Sequence, residues 1–283
     1  MKVVILILLV IPFFSFAQKV TPKTPDEVVE QMKNHLTCDW LSETVDVYKA
    51  GDPQTPLKGI AVCMFADMPT LEKALELGCN FIITHEPIFY SHLDGTENLQ
   101  DDPVFQQKMD FIQKNKLVVF RFHDHIHMTK PDGIYEGMIE KLGIRNYSVN
   151  GSPTNYELPK QSVKNYAETL KEKLGLETVR VVGNPNMEFT KMGLAVGAPG
   201  GSRHLQMLSS DDVEVMVAGE ANEWETYLYV NDAAYQGKNK AVIFVGHVKS
   251  EEAGMDYCAK WLTGFIPGTP IHFIENQANF STL

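Results

Sequence analysis

The segment NFIITHE at residues 80–86 decides the fold, because a run of β-branched and aromatic residues ends there directly in a histidine and a carboxylate. Two later segments have the same form, LVVFRFHDHIH at residues 117–127 and AVIFVGHVKSE at residues 241–251. Such apolar runs are typical of buried strands in a mostly parallel sheet. Since open α/β sheets bind ligands at the carboxyl ends of their strands, we expect these histidines to lie where the fold carries out its chemistry.

The composition excludes several classes of protein. The chain of 283 residues has a formal charge of -11 and contains four cysteines. An acidic surface repels polyanions, and no basic cluster with interleaved aromatic residues occurs, so nucleic-acid binding is disfavoured. The cysteines are too few for a disulfide scaffold and lack zinc-ribbon spacing, and we predict no catalytic thiol among them.

Residues 1–17 have the pattern of a secretory signal peptide. Lys2 is followed by an apolar stretch and by the small residues Ser15 and Ala17, which predicts cleavage after Ala17. An uncleaved N-terminal anchor is the alternative, although the stretch is shorter than the about 20 residues of a typical membrane span. We therefore expect residues 18–283 to form one exported, periplasmic unit with no membrane segment after signal removal.

The remaining chain alternates between predicted strands and helices, which indicates an α/β fold. The motif Thr24-Pro25-Asp26-Glu27 predicts a capped first helix. A polar segment at residues 146–158 is predicted to connect two lobes. The segment GAPGGS at residues 197–202 either cradles an anion with its N–H groups or is simply a turn.

The three histidine-containing segments suit one shared metal site. Along a strand His123, His125 and His127 would point to one face, whereas His247 and Glu251 would share one face of a helix. Imidazole nitrogens and carboxylates together suit zinc, manganese or iron. The alternative, that each is an unrelated core or surface histidine, becomes weak when three clusters occur at three strand ends. Four isolated histidines are predicted to be ordinary surface or loop residues: His35, His92, His204 and His272.

Several of these segments resemble signatures of a known family. THEPIF at residues 84–89 resembles the Thr-His-His-Pro-Leu-Ile-Phe signature of the Nif-three-like proteins, also called the type 2 GTP cyclohydrolase I family, and GHVKSE at residues 246–251 resembles their Gly-His-x-x-(Ser/Thr)-Glu signature. VDVYKAGDP at residues 45–53 and AGE at residues 218–220 are similar to two further family segments. The likeness runs in order from about residue 27 to residue 276, and the chain is identified as a member of this family.

The resemblance implies two interlinked α/β lobes with mixed, mostly parallel sheets, a dinuclear metal site in the cleft between them, and homo-oligomers, often hexamers. Two divalent metal ions, zinc, manganese or iron, would be bound by five ligands: His85, Glu86, His127, His247 and Glu251. Two of these depart from the family pattern, because Glu86 replaces a histidine and His127 replaces an aspartate. His123 or His125 remains an alternative ligand to His127, and Glu86 would favour harder ions such as manganese or iron over zinc.

A dinuclear site of this kind indicates hydrolysis of a small-molecule substrate by a metal-activated water. Glu220, by resemblance, and His125, by proximity, are the candidates for proton transfer, and their alternative roles are a buried hydrogen-bonded carboxylate and a residue that orients a ligand. A GTP substrate is in doubt because an exported protein would meet little GTP. The alternative function is a non-catalytic metal-binding or metallochaperone-like assembly protein. A metallo-β-lactamase-like enzyme is disfavoured because HDHIH lacks the Asp-His pair of that motif.

Overall fold

The computed structural model describes residues 21–277, so the predicted signal peptide lies outside the described residues. Within this range the chain forms two five-stranded sheets flanked by helices. The strands are β1 (Tyr48–Ala50), β2 (Ile60–Cys63), β3 (Phe81–Thr84), β4 (Val118–Arg121), β5 (Asn155–Ser162), β6 (Arg180–Val182), β7 (Glu188–Ala195), β8 (Val215–Ala218), β9 (Ala241–Phe244) and β10 (Ile271–Phe273). The helices are α1 (Pro25–His35), α2 (Met68–Glu76), α3 (Pro103–Lys114), α4 (Asp124–Met128), α5 (Gly133–Leu142), α6 (Val163–Leu174), α7 (Gly201–Ser209), α8 (Leu228–Tyr235) and α9 (His247–Thr263).

The two sheets have the mixed, mostly parallel topology that the sequence predicts. The first has the order β1-β4-β3-β2-β10, in which β1 alone is antiparallel to its neighbour. The second has the order β5-β7-β8-β9-β6, in which the edge strands β5 and β6 are antiparallel. Because β10 follows β9 in the chain yet pairs with β2, the polypeptide returns to the first sheet and links the two lobes.

The strands that precede the site are buried on both faces. Every residue of β3, β4 and β9 is buried, as expected for parallel strands covered by helices. One apolar cluster joins buried residues of both sheets with α5 and α9. The sequence therefore places three strand ends in the buried interior, and the residues that follow them lie next to the core.

Helix α9, which begins with site residues, is held close to α5 by two glycines. A Cβ on Gly137 would lie 2.1 Å from the carbonyl oxygen of Ala253, and a Cβ on Gly254 would lie 2.4 Å from the Cα of Ile134. No larger side chain fits at either position without a backbone shift. This close packing sets the position of α9 relative to the first lobe.

The expectation that residues 123–127 continue a strand is wrong. Strand β4 ends at Arg121, and α4 begins at Asp124. The cause is Asp46, whose Oδ1 accepts hydrogen bonds from the backbone N–H groups of His123 and Asp124, while its Oδ2 accepts one from the N–H of His125. A carboxylate in this position caps a helix N-terminus, so His123 and His127 lie one helical turn apart.

Two further expectations are corrected. Part of the predicted connection at residues 146–158 belongs to β5, a mostly polar edge strand that begins at Asn155. His204 is not a surface residue, because α7 buries its side chain to 1% exposure and its Nδ1 lies 3.0 Å from Thr226 Oγ1. Among residues 21–277, no helix combines the length and apolar character needed to cross a membrane.

Candidate metal centre

Four histidines and two glutamates converge at strand ends of both sheets. The first sheet supplies the residues that follow β3 and β4, and the second supplies the first turns of α9, which follows β9. The cluster consists of His85, Glu86, His123, His127, His247 and Glu251.

His85 is the most buried member of the cluster. Its Nδ1 lies 3.2 Å from the carbonyl oxygen of Phe122, which can only accept, so Nδ1 carries the proton. Its Nε2 has no hydrogen-bond partner and lies 3.6 Å from Oε2 of Glu251. Burial and the neighbouring histidines hold the pKa of His85 well below its ordinary value. The ring is therefore neutral and directs a buried lone pair into the cluster.

The other three histidines follow the same arrangement with carboxylates as partners. Their Nδ1 atoms each lie 2.9 to 3.1 Å from a carboxylate oxygen, in the pairs His123 with Asp124, His127 with Asp132 and His247 with Glu220. Metal-binding histidines typically donate their second ring N–H to a carboxylate or a backbone carbonyl, which fixes the tautomer and leaves the other nitrogen as a ligand. All four histidines thus have the orientation of metal ligands.

The two glutamates lie between the imidazoles. Oε2 of Glu251 is 3.1 Å from Nε2 of His247, and its Oε1 is 3.8 Å from Nε2 of His127. Oε1 of Glu86 is 3.2 Å from Nε2 of His247 and 3.8 Å from Nε2 of His123. Two sets of three residues bring their donor atoms within 4.8 Å of one another. The first set is His85, His123 and His127, and the second is His85, Glu86 and Glu251.

The electrostatics of the cluster favour positive charge between these carboxylates. Although burial lowers the pKa of His247, the hydrogen bonds and charges of Glu251 and Glu86 raise it to about 10. Burial acts to raise the pKa of Glu86, but His247 and its other positive neighbours bring it below its ordinary value. Imidazole nitrogens and carboxylates together fit divalent transition-metal ions, which would displace the proton of His247 and supply this positive charge.

Gly197 leaves the space that the carboxylate of Glu251 occupies. Its φ of +65° is in the left-handed region, and a Cβ on it would lie 2.2 Å from Oε1 of Glu251. Its N–H donates to Oγ of Ser250 at 2.9 Å, which fixes the loop after β7 against α9. A larger residue at position 197 would displace the carboxylate from the cluster.

The five ligands predicted from the sequence all lie in this cluster. His123, which the sequence left as an alternative to His127, lies in the cluster together with it. Their spacing of four residues is a signal for this pair only once residues 124–128 are known to be helical.

The two candidates for proton transfer lie in different surroundings. Glu220 is at the solvent-facing side, with its side chain 64% exposed and its Oε2 3.1 Å from Nδ1 of His247. His125 is fully buried, with Nδ1 2.7 Å from Asp46 and Nε2 accepting from the N–H of Leu41 at 2.9 Å. Since neither nitrogen of His125 is free, its geometry disfavours proton transfer. Its ring instead holds Asp46, the residue that caps α4.

Sequence reasoning missed three residues that hold the cluster. Asp124 and Asp132 orient two of the histidines, and Arg121 lies beneath Glu86 with Nη2 3.5 Å from Oε2. Asp132 also caps α5 through its Oδ1. The position of Asp132 just before a helix indicates a capping residue from the sequence alone. Its contact with His127 depends on the fold.

The comparisons with known proteins agree with this fold. The GTP cyclohydrolase 1 type 2 homolog of Clostridium acetobutylicum is 24% identical over 242 residues, which is 80% of this chain and 86% of that protein. A crystal structure of a Staphylococcus aureus hypothetical protein superimposes with a TM-score of 0.71 at 15% identity, over 93% of this chain and 100% of that one. A Bacillus cereus protein related to NIF3 gives a TM-score of 0.71 at 14% identity, over 92% and 99%.

The family model described as Duf34/NIF3 (NGG1p interacting factor 3) matches residues 26–279, which is nearly the whole chain. This match confirms the resemblance that the strand-end signatures indicate. The chain belongs to the Duf34/NIF3 family.

Proposed function

We propose that this protein binds two divalent metal ions in the histidine and glutamate cluster and uses them to hydrolyse a small-molecule substrate. The observation that carries the proposal is Nε2 of His85, a fully buried nitrogen without a hydrogen-bond partner. A buried polar atom left unsatisfied costs free energy, and a bound cation would remove that cost. The six candidate ligands exceed the three or four protein ligands of one typical transition-metal site, which supports two cations rather than one.

The residues divide into those that would bind the ions and those that would act on the substrate. His85, Glu86, His123, His127, His247 and Glu251 would hold the ions. Bound ions of this kind supply Lewis acidity and lower the pKa of water toward neutrality. Glu220, exposed beside His247, is the proposed proton acceptor.

Three histidines of the cluster are partly exposed, and a substrate would approach the proposed ions beside them. The side chains of His123, His127 and His247 are 25%, 25% and 21% exposed. The relatives named GTP cyclohydrolase 1 type 2 homolog carry a hydrolytic name, which agrees with the reaction class proposed here. Export, which the first 17 residues favour, argues against GTP as the substrate, and homo-oligomers remain a proposal from the family resemblance.

Metal content and turnover together test this proposal. Protein purified without chelator is expected to contain about two metal ions per chain. A panel of hydrolase substrates with manganese, iron or zinc should give turnover that Glu251→Gln abolishes and that Glu223→Gln, an exposed control, retains. Absence of bound metal would contradict the whole proposal. Stoichiometric metal without any turnover would refute hydrolysis and favour the non-catalytic metal-binding function.

A further inference from the structure

Arg121 is a fully buried arginine directly beneath the metal cluster. It is the last residue of β4, and its side chain has no exposed surface. Its Nε donates to the carbonyl oxygen of His85 at 3.1 Å, and its Nη1 donates to the carbonyl oxygen of His92. The guanidinium therefore fixes the backbone on both sides of Glu86.

The same guanidinium divides the two oxygens of Glu86 between different partners. Nη2 of Arg121 lies 3.5 Å from Oε2 of Glu86, whereas Oε1 faces Nε2 of His247 at 3.2 Å and Nε2 of His123 at 3.8 Å. A carboxylate with one oxygen facing a buried arginine presents only the other oxygen to a cation. Glu251 differs, because both of its oxygens face histidines.

The positive charge of Arg121 offsets part of the negative charge of Glu86, because the other acidic neighbour of Arg121 has a closer partner. Asp94 lies nearer to Lys49, at 3.1 Å between Nζ and Oδ2, than to Nη1 of Arg121, at 3.9 Å. Lys49 and Asp94 therefore form one pair, and Arg121 and Glu86 form a second pair next to it. Because a buried cation so close to the site repels another cation, it opposes metal binding on the Glu86 side.

We infer that Arg121 sets the metal affinity of this side of the cluster. It limits Glu86 to one ligand oxygen and offsets the charge of that carboxylate. The two cations therefore bind in two steps, and the site on the Glu86 side has the lower affinity. The inference rests on the proposed function, since it assumes two cations. Arg121 acts through Glu86 and is a positioning residue.

Titration with Mn²⁺ by calorimetry tests the inference with two variants of Arg121. Arg121→Gln keeps an amide donor for the backbone carbonyls and removes the charge, whereas Arg121→Lys keeps the charge and loses the forked donors. We expect the weaker Mn²⁺ step to tighten about tenfold in Arg121→Gln and to stay within about threefold of the wild type in Arg121→Lys. A purely structural role would change both variants alike.

The outcomes separate this inference from the proposed function. Wild-type protein that binds no Mn²⁺ refutes the proposed function itself. Suppose that the wild type binds Mn²⁺ in two steps. If the affinity of the weaker step is then unchanged or lower in Arg121→Gln, or higher in both variants, only the role of Arg121 is overturned. If Arg121→Gln folds only with Mn²⁺ present, its melting temperature is compared with that of the wild type over one range of Mn²⁺ concentrations. A larger rise from the lowest to the highest concentration in the variant supports the inference. Failure to fold even with Mn²⁺ contradicts it, because a bound cation would replace the missing charge.

Discussion

The buried floor of the cluster differs from its accessible rim. The floor consists of His85, Glu86 and Glu251, whose side chains are 0%, 10% and 5% exposed. The rim consists of His123, His127 and His247, each between a fifth and a quarter exposed. The Nε2 of a partly exposed rim histidine can hydrogen-bond to water when no cation is bound. The Nε2 of His85 is buried and has no hydrogen-bond partner.

The orienting groups differ in the same way. His85 is oriented by a backbone carbonyl, which no side-chain substitution removes, whereas each rim histidine is oriented by a carboxylate side chain. For the proposed metal site we expect that the floor determines whether a cation binds and that the rim adjusts how tightly it binds.

Replacement of the floor histidine should have the largest effect. His85→Phe keeps a ring in the buried space and removes the nitrogen that both donor groups share. We expect the tighter Mn²⁺ affinity to fall by at least about a thousandfold, measured by calorimetry. His272→Phe, on β10, is the control and should bind as the wild type does. A floor variant that still binds two ions would remove the distinction between floor and rim.

His125 offers a test within the same segment as two rim histidines. His125→Phe keeps the ring that stacks on Trp40 and loses the hydrogen bonds to Asp46 and to the N–H of Leu41. The free energy of unfolding should fall by about 3 kcal/mol in denaturant titration, because the variant loses one hydrogen bond to a buried carboxylate and one from a backbone N–H. Metal stoichiometry should not change. Loss of metal without loss of stability would instead make His125 a ligand.

The rim prediction concerns the carboxylate that orients His127. Asp132→Asn keeps the oxygen that caps α5 but replaces the carboxylate facing Nδ1 of His127. Mn²⁺ affinity should fall by about 10-fold to 100-fold. Asp102→Asn is a matched control, since Asp102 caps α3 with the same pair of hydrogen bonds and faces no histidine. Equal losses in both variants would show that capping, not ligand orientation, is responsible.

The smallest expected effect concerns Lys108, which lies under the loop that follows the floor. Its Nζ donates to the carbonyl oxygen of Ile88 at 2.8 Å, and burial lowers its pKa to about 8. Since the unfolded chain holds this proton up to about pH 10.5, the unfolded state binds more protons between the two values, and stability rises with pH there.

Denaturant titrations compare the wild type with Lys108→Met across this pH window. From about pH 8 to about pH 9.5 the wild type should gain about 1.5 kcal/mol of unfolding free energy relative to the variant. Parallel pH profiles of the two proteins would contradict a depressed pKa for Lys108.

Much of the fold could be predicted because buried parallel strands have a strong local signal. The runs that form β3, β4 and β9 are continuous and apolar, so their ends were correctly expected to meet. Strand β5 was missed because it is an edge strand with a largely exposed, polar sequence. Helix α7 was missed, and the burial of His204 was missed with it.

The convergence of the candidate ligands was predictable from the sequence, but the residues that support them were not. His85, His247 and Glu251 follow strands directly, so local sequence was enough to group them. The short helix after β4 depends on Asp46, about 78 residues earlier in the chain, and periodicity within the segment instead favoured a strand. The pairing of Arg121 with Glu86 likewise depends on the register of β3 with β4, which places Thr84 beside Arg121.

An anomalous difference map from a crystal grown with Mn²⁺ tests the central claim most directly. The account predicts two peaks within the cluster, one of them about 2.0 to 2.3 Å from Nε2 of His85. A map without a peak at His85, from protein saturated with Mn²⁺, would contradict it.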